Sequence, residues 1–200
     1  GDNFLAGFRA AVTRDSRDSI LRPTEGNLLD VSVEEVTGDF TFPVVNIEDN
    51  QYFTVYQRAD GSGRQVIALR SQAAWEGSNA PVFERFYAGG YRSMRGFEFR
   101  GVGPAINGFE TGGDFMWLNS AEYQVPIKAN DQIYLVAFVD SGTVESRLEI
   151  KDYRVSAGFG VRFVVPMLGP VPIALDFGFP IVKGPNDHEQ VFSFWLGFFH

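Results

Sequence analysis

Arg95 is the residue whose type and setting most constrain the chemistry open to this sequence. It lies in a glycine-rich, aromatic stretch from Pro81 to Pro104, PVFERFYAGGYRSMRGFEFRGVGP, with Met94-Arg95-Gly96-Phe97 at its centre. A guanidinium keeps its charge and presents donors in a planar fork that matches a carboxylate. If the stretch folds back into the protein, that charge needs an acid, because removing one partner of a buried pair costs about 3 to 5 kcal/mol. Gly89, Gly90 and Gly96 would then supply positive φ and close backbone approach. The chemistry on offer is charge pairing rather than bond making. His188 sits in a loop and His200 at the end of the chain, so neither a metal-ligand set nor a Ser-His-Asp arrangement can be assembled. Gly158-Phe159-Gly160 lies mid-strand, lacks a third glycine and opens no helix, so it is no nucleotide loop. Glu34 and Glu35 alternate across a strand and cannot converge on one substrate. The expectation is a protein that is not an enzyme and carries no cofactor or metal.

The elements that must position Arg95 are strands. Period-two alternation recurs in about nine segments of roughly ten residues, the length of a tilted membrane strand. They are expected at Phe4 to Thr13, Asn27 to Thr37, Gln51 to Arg58, Arg64 to Trp75, Asp114 to Pro126, Gln132 to Asp140, Tyr153 to Val165, Pro172 to Ile181, and Glu189 onward. In the fifth, Phe115, Trp117, Ala121 and Tyr123 oppose Ser120, Glu122 and Gln124. In the sixth, Ile133, Leu135, Ala137 and Val139 oppose Tyr134, Val136, Phe138 and Asp140. The seventh sets Tyr153, Val155, Ala157, Phe159, Val161 and Phe163 against Arg154, Ser156, Gly158, Gly160 and Arg162, one face lipid-like and the other polar or empty. Glu122 and Asp140 thus fall on the polar side of adjacent strands.

Connections sort by length. Long links (Thr37 to Asn50, Glu76 to Gly113, Ser141 to Asp152) alternate with mostly shorter turns near Gly61, Lys128-Ala129-Asn130 and Met167-Leu168-Gly169-Pro170, the habit of outer-membrane barrels. The turn Arg14 to Gly26, ending in Pro23-Thr24-Glu25-Gly26, departs from that habit.

Composition narrows the class further. The chain has 200 residues, a net charge of −8, 20 phenylalanines, 22 glycines and no cysteine. Its pI is near 4.8, which argues against nucleic acid, since phosphate binding needs a basic face. Without cysteine there is no disulfide, thiol nucleophile or thiolate metal site. Mean hydropathy is −0.08 and no apolar run reaches the roughly 20 residues of a spanning helix, yet an alternating barrel hides behind such averages. The first residue is Gly rather than Met and no signal peptide precedes it, so a processed product or a fragment is expected.

Phe86-Tyr87-Ala88-Gly89-Gly90 followed by Met94-Arg95-Gly96-Phe97 resembles the signature loop of the BamA-type outer-membrane insertase superfamily. The Pro-x-x-Gly turn at Pro23 and the aromatic terminal run Phe192-Ser193-Phe194-Trp195-Leu196-Gly197-Phe198-Phe199 are similar to that family too, although His200 follows the usual final aromatic. The resemblance implies an all-β antiparallel transmembrane β-barrel. About nine C-terminal strands of a sixteen-stranded barrel would lie here, with loop 81–113 folded into the lumen and the earlier strands and periplasmic POTRA domains outside this sequence. It implies that Arg95 is clamped by Glu122 and Asp140. It also implies that the terminal strand, with Phe194, Leu196, Gly197 and Phe198, forms one side of a seam, Gly197 letting it kink open.

Unfolded β-barrel clients, outer-membrane lipids and accessory lipoproteins are the implied partners. Rival readings are a two-partner secretion transporter of the same superfamily, a passive porin or adhesin barrel, and a soluble β-sandwich. Register raises a difficulty for the clamp. A tight hairpin about Asn130 is expected to set Glu122 opposite Tyr134 or Val136, leaving Asp140 about 13 to 20 Å further along the strand at about 3.3 Å per residue. One arginine would then reach both acids only through strand shear, a bulge or a bridging water.

Overall fold

The computed structural model describes residues 3–127, 132–164 and 172–196. Its strands follow the alternation. β1 (Leu5–Asp15), β2 (Gly26–Gly38), β3 (Phe42–Tyr56) and β4 (Gln65–Glu76) come first, and the long connection after them carries three two-residue strands, β5 (Gly96–Phe97), β6 (Ala105–Ile106) and β7 (Phe109–Glu110). β8 (Phe115–Pro126), β9 (Ile133–Glu145), β10 (Arg154–Val164), β11 (Pro172–Val182), β12 (Glu189–Gln190) and β13 (Phe192–Leu196) complete the chain. Nine of them make one antiparallel sheet in the order β1-β2-β3-β4-β8-β9-β10-β11-β13, while β5 pairs with β12 and β6 with β7. The two edges, β1 and β13, are not paired with each other among the described residues.

The sheet has two chemically distinct faces because side chains alternate along every strand. One face exposes Phe8, Phe53, Leu135, Phe159, Phe177 and Phe194. Phe159 touches both Phe177 and Phe179, with ring centroids 5.7 and 6.4 Å away, and Phe177 touches Phe192 at 5.4 Å. A single outward row is polar: Asp49, Ser71, Asn119 and Ser141 stand directly opposite one another on β3, β4, β8 and β9, with Ser71 donating to Asn119 at 2.9 Å. An apolar face this extensive needs a covering that is not water. The other face is covered by the chain itself. Met94, Phe97, Val102 and Ala88 from the long connection pack on Ala74, Met116, Leu118 and Val144 of β4, β8 and β9.

The connections revise the expected pattern. β3 begins at Phe42 rather than Gln51, so the link expected from Thr37 to Asn50 is only a turn of residues 39–41. The polar residues Asn46, Glu48 and Asn50 read as loop, but they line the covered face, and residues 42–50 are paired on β2 and, from Val44, on β4. Pro43 is tolerated because it sits at the strand's beginning. β9 likewise runs on to Glu145 instead of stopping at Asp140. The last strand is split, with Glu189–Gln190 leaving the wall for the loop before Phe192 rejoins it. The connection between β1 and β2 is long because it folds back against the sheet. Pro23 and Thr24 are buried, Thr54 Oγ1 donates to the Thr24 carbonyl at 3.0 Å, and the Arg22 guanidinium lies 4.8 Å from the Tyr134 ring centroid. The turns expected at 128–130 and 167–170, together with Gly197, Phe198 and His200, lie outside the described residues.

If the aromatic face meets lipid hydrocarbon, a lysine at Phe159 is costly. Phe159→Lys is expected to lower folding stability by about 2 to 4 kcal/mol, read from denaturant titration in lipid vesicles, whereas a change this small in cost as to be undetectable would assign the faces the other way round.

Candidate functional site

The centre of the site is assembled from the long connection and from the covered face of β8 to β11. Residues 77–114 are held by bridges at Phe86↔Gly113, Ala88↔Val102 and Gly90↔Met94, which fold the stretch into nested turns. Met94 and Phe97 are fully buried on either side of the Arg95-Gly96 pair. Burial of each such side chain is worth about 1.5 to 3 kcal/mol, so the loop is driven onto the sheet by its apolar residues before any charge is considered. That anchoring aims Arg95 at the wall.

Arg95 uses every side of its fork. Nε and Nη2 donate to the two oxygens of Asp140 at 2.8 Å each, and Nη1 donates to Glu122 Oε2 at 2.7 Å. Nη2 also reaches Ser120 Oγ at 3.2 Å, and Asp176 Oδ2 stands 3.8 Å from Nη1. The guanidinium carbon lies 3.5 Å from the Phe138 ring centroid. Even the Arg95 backbone is fixed: its N–H donates to Asp140 at 3.0 Å, and Ser156 Oγ donates to its carbonyl at 2.6 Å. Burial works against the charged guanidinium, but Asp140, Glu122 and Asp176 outweigh it, so its pKa lies well above the ordinary arginine value. A bidentate charge-assisted pair of this kind fixes geometry as well as charge.

The ladder between β8 and β9 explains how one arginine meets both acids. Glu122 is opposite Phe138, not Tyr134 or Val136, and Ser120 is opposite Asp140, with no shift from Phe115↔Glu145 to Pro126↔Tyr134. Glu122 and Asp140 are therefore diagonal neighbours on one face, about 7 to 8 Å apart, and a guanidinium spans that gap without a bulge or a water.

Several residues of the site were not singled out by sequence. Arg162 on β10 donates to Asp176 at 2.5 Å and to Glu122 Oε2 at 3.2 Å, so two arginines and three carboxylates form one buried network. Alternation had placed Arg162 on the polar face, and a buried cation there required an acid on the next strand, which is Asp176. Gly96, with φ of 94°, lies against Gly178 of β11, where an added Cβ would come within 2.6 Å of the Gly96 nitrogen. Gly89 and Gly90, at φ of 107° and 86°, turn the chain just before the motif. Phe194 and Leu196 of β13 point outward, while Ser193 is buried on the covered face. His188 contributes backbone hydrogen bonds to Glu98 and Gly101, and its ring is exposed.

The sequence matches the family model described as the Omp85 superfamily domain over residues 1–199. It is 30% identical over 213 residues to the outer membrane protein assembly factor BamA of Nitratidesulfovibrio vulgaris, covering 100% of this chain and 26% of that protein. The BamA of Neisseria meningitidis serogroup B is 26% identical over 226 residues, covering 92% and 27%. Human sorting and assembly machinery component 50 homolog is 27% identical over 136 residues, covering 64% and 27%. The chain thus spans about a quarter of the length of the curated relatives it matches. Its fold superposes on the crystal structure of BamA from Haemophilus ducreyi lacking POTRA domains 1–3 with a TM-score of 0.82, at 21% identity, over 94% of this chain and 41% of that one. Since the family model accounts for all but the last residue, the chain belongs to the Omp85 superfamily.

Proposed function

We propose that this chain is the C-terminal portion of a sixteen-stranded outer-membrane barrel that folds and inserts β-barrel clients through a seam beside its terminal strand. The observation that carries the reading is the loop fixed by Arg95 next to the edge strand β13. Among the described residues β13 pairs with β11, Phe192–Leu196 against Ile173–Phe177, and with no strand on its other side. A strand at the edge of the sheet offers its backbone to an incoming strand, so recognition is β-augmentation and needs no covalent chemistry. The apolar face supports a position in the outer membrane. The names of the curated relatives, two of them outer membrane protein assembly factors, support the activity.

In this reading Arg95, with Met94, Gly96 and Phe97, clamps the loop to Glu122 and Asp140, and the loop fills the lumen. Gly89 and Gly90 shape the clamp, while Phe194 and Leu196, with Gly197 and Phe198 beyond them, make the movable side of the seam. The partners are bilayer lipids, unfolded barrel proteins arriving from the periplasm, and accessory lipoproteins.

Two experiments test this. Arg95→Ala should leave residues 81–104 open to protease while the wall stays folded, because loss of one partner strands buried acids at a cost of about 3 to 5 kcal/mol; equal protection in the variant would count against the clamp. In proteoliposomes the full-length parent should speed insertion of a urea-unfolded barrel client, with Arg95→Lys intermediate and Arg95→Ala slow, since lysine keeps the charge but loses the fork. A passive pore would conduct without accelerating any client, and a secretion transporter would pass its substrate across instead of inserting it.

A further inference from the structure

The loop grips more than the wall strands that neutralise Arg95. Tyr91, four residues before Arg95, stacks on Trp195 of the terminal strand with ring centroids 5.5 Å apart and planes 9° from parallel. The Arg92 guanidinium lies 5.4 Å from the same indole, and its backbone carbonyl accepts a hydrogen bond from Arg70 Nη1 of β4 at 2.5 Å. On the other side, Arg162 sits 5.7 Å from the Tyr91 ring while holding Glu122 and Asp176. Burial pushes the Tyr91 phenol above its ordinary pKa. An unbroken series of contacts runs from the charge network through Tyr91 to Trp195.

A second grip lies just upstream of β13. Glu189 and Gln190 pair with Phe97 and Gly96, His188 exchanges backbone hydrogen bonds with Glu98 (2.9 Å) and Gly101 (3.1 Å), and Asp187 is held by Arg154 at 3.0 and 3.1 Å. The terminal strand is thus attached to the loop as well as to β11.

We propose that Tyr91 and Trp195 are positioning residues that latch the terminal strand to the signature loop, so that release of the loop and opening at β13 are one coupled equilibrium. This rests on the clamp-and-seam reading above but does not require a client. The physical reason is geometric. Trp195 faces the loop-covered side, and swinging β13 away from the wall strips the indole from Tyr91. Freeing the loop removes the surface on which the indole rests. Coupling of this kind must be reciprocal, the loop acting on the strand by the same factor as the strand on the loop.

Hydrogen exchange on the full-length protein in nanodiscs tests it, with heat-modifiable mobility on gels confirming a folded barrel. Tyr91→Ala should speed exchange of the Phe192–Leu196 amides by about threefold to tenfold, the range expected for loss of one aromatic pair, and Trp195→Ala should speed exchange of residues 90–97 by a similar factor. Amides of β10 should not change, and Tyr91→Phe should restore protection. Where an alanine variant does not assemble, Tyr91→Leu carries the same comparison. Unchanged exchange in the strand, or an equal rise across β10 and β13, would overturn the latch. Because no client is present, such a result leaves the insertase reading untouched, while lost insertion with intact coupling would sink that reading alone.

Discussion

A guanidinium buried inside a protein must be neutralised, and that requirement organises the structure around Arg95. The residue is 6% exposed and its bidentate partner Asp140 2%. Desolvating such a group is expensive, so the arrangement persists only if every donor finds an acceptor. Asp140 takes a bidentate pair, Glu122 the remaining terminal nitrogen, and Ser120 and Ser156 complete the shell. The register of β8 against β9 is tied to this solution, because a slip of one residue would turn the acids to the opposite face. Removing one member of the network alone would leave the others as buried, unpaired charges.

The two faces of the sheet divide the work. Apolar residues of the loop bring it down on Ala74, Met116, Leu118 and Val144, and the charges then fix where it comes to rest. Hydrophobic contact is non-directional and would tolerate several placements of the loop. The forked pair and the Gly96–Gly178 contact tolerate one. On the outward face Phe159, Phe177, Phe179 and Phe192 pack on one another and stay exposed, so the protein itself does not bury them.

The terminal strand stands at the meeting of these constraints. Among the described residues it pairs with β11 alone, its outward side chains are apolar, and its inward indole rests on the loop. A strand at the edge of a sheet is a natural place for local opening. Here the loop adds to the hold of the wall through a two-residue ladder and one aromatic stack. The charge network, the loop and the edge therefore form a contiguous set of contacts rather than separate features.

Much of this was legible along the chain. Alternation located the wall strands and their two faces, the glycines and Arg95 marked the loop, and the resemblance supplied Glu122 and Asp140. Sequence reasoning lost β3 before Gln51 because polar residues on a covered face look like loop. It lost the split between Glu189 and Phe192 because only a distant partner, Gly96–Phe97, makes β12 a strand. It misplaced the register about residue 130, and with it the distance between the two acids. Arg162, Asp176, Gly178 and the Tyr91–Trp195 stack were beyond it for the same reason. What a sequence fixes by itself is periodic and local: which residues share a face and where the chain can turn. Which faces meet, and which charge lies within reach of which, depends on contacts between residues far apart in the chain, and only the folded sheet decides them.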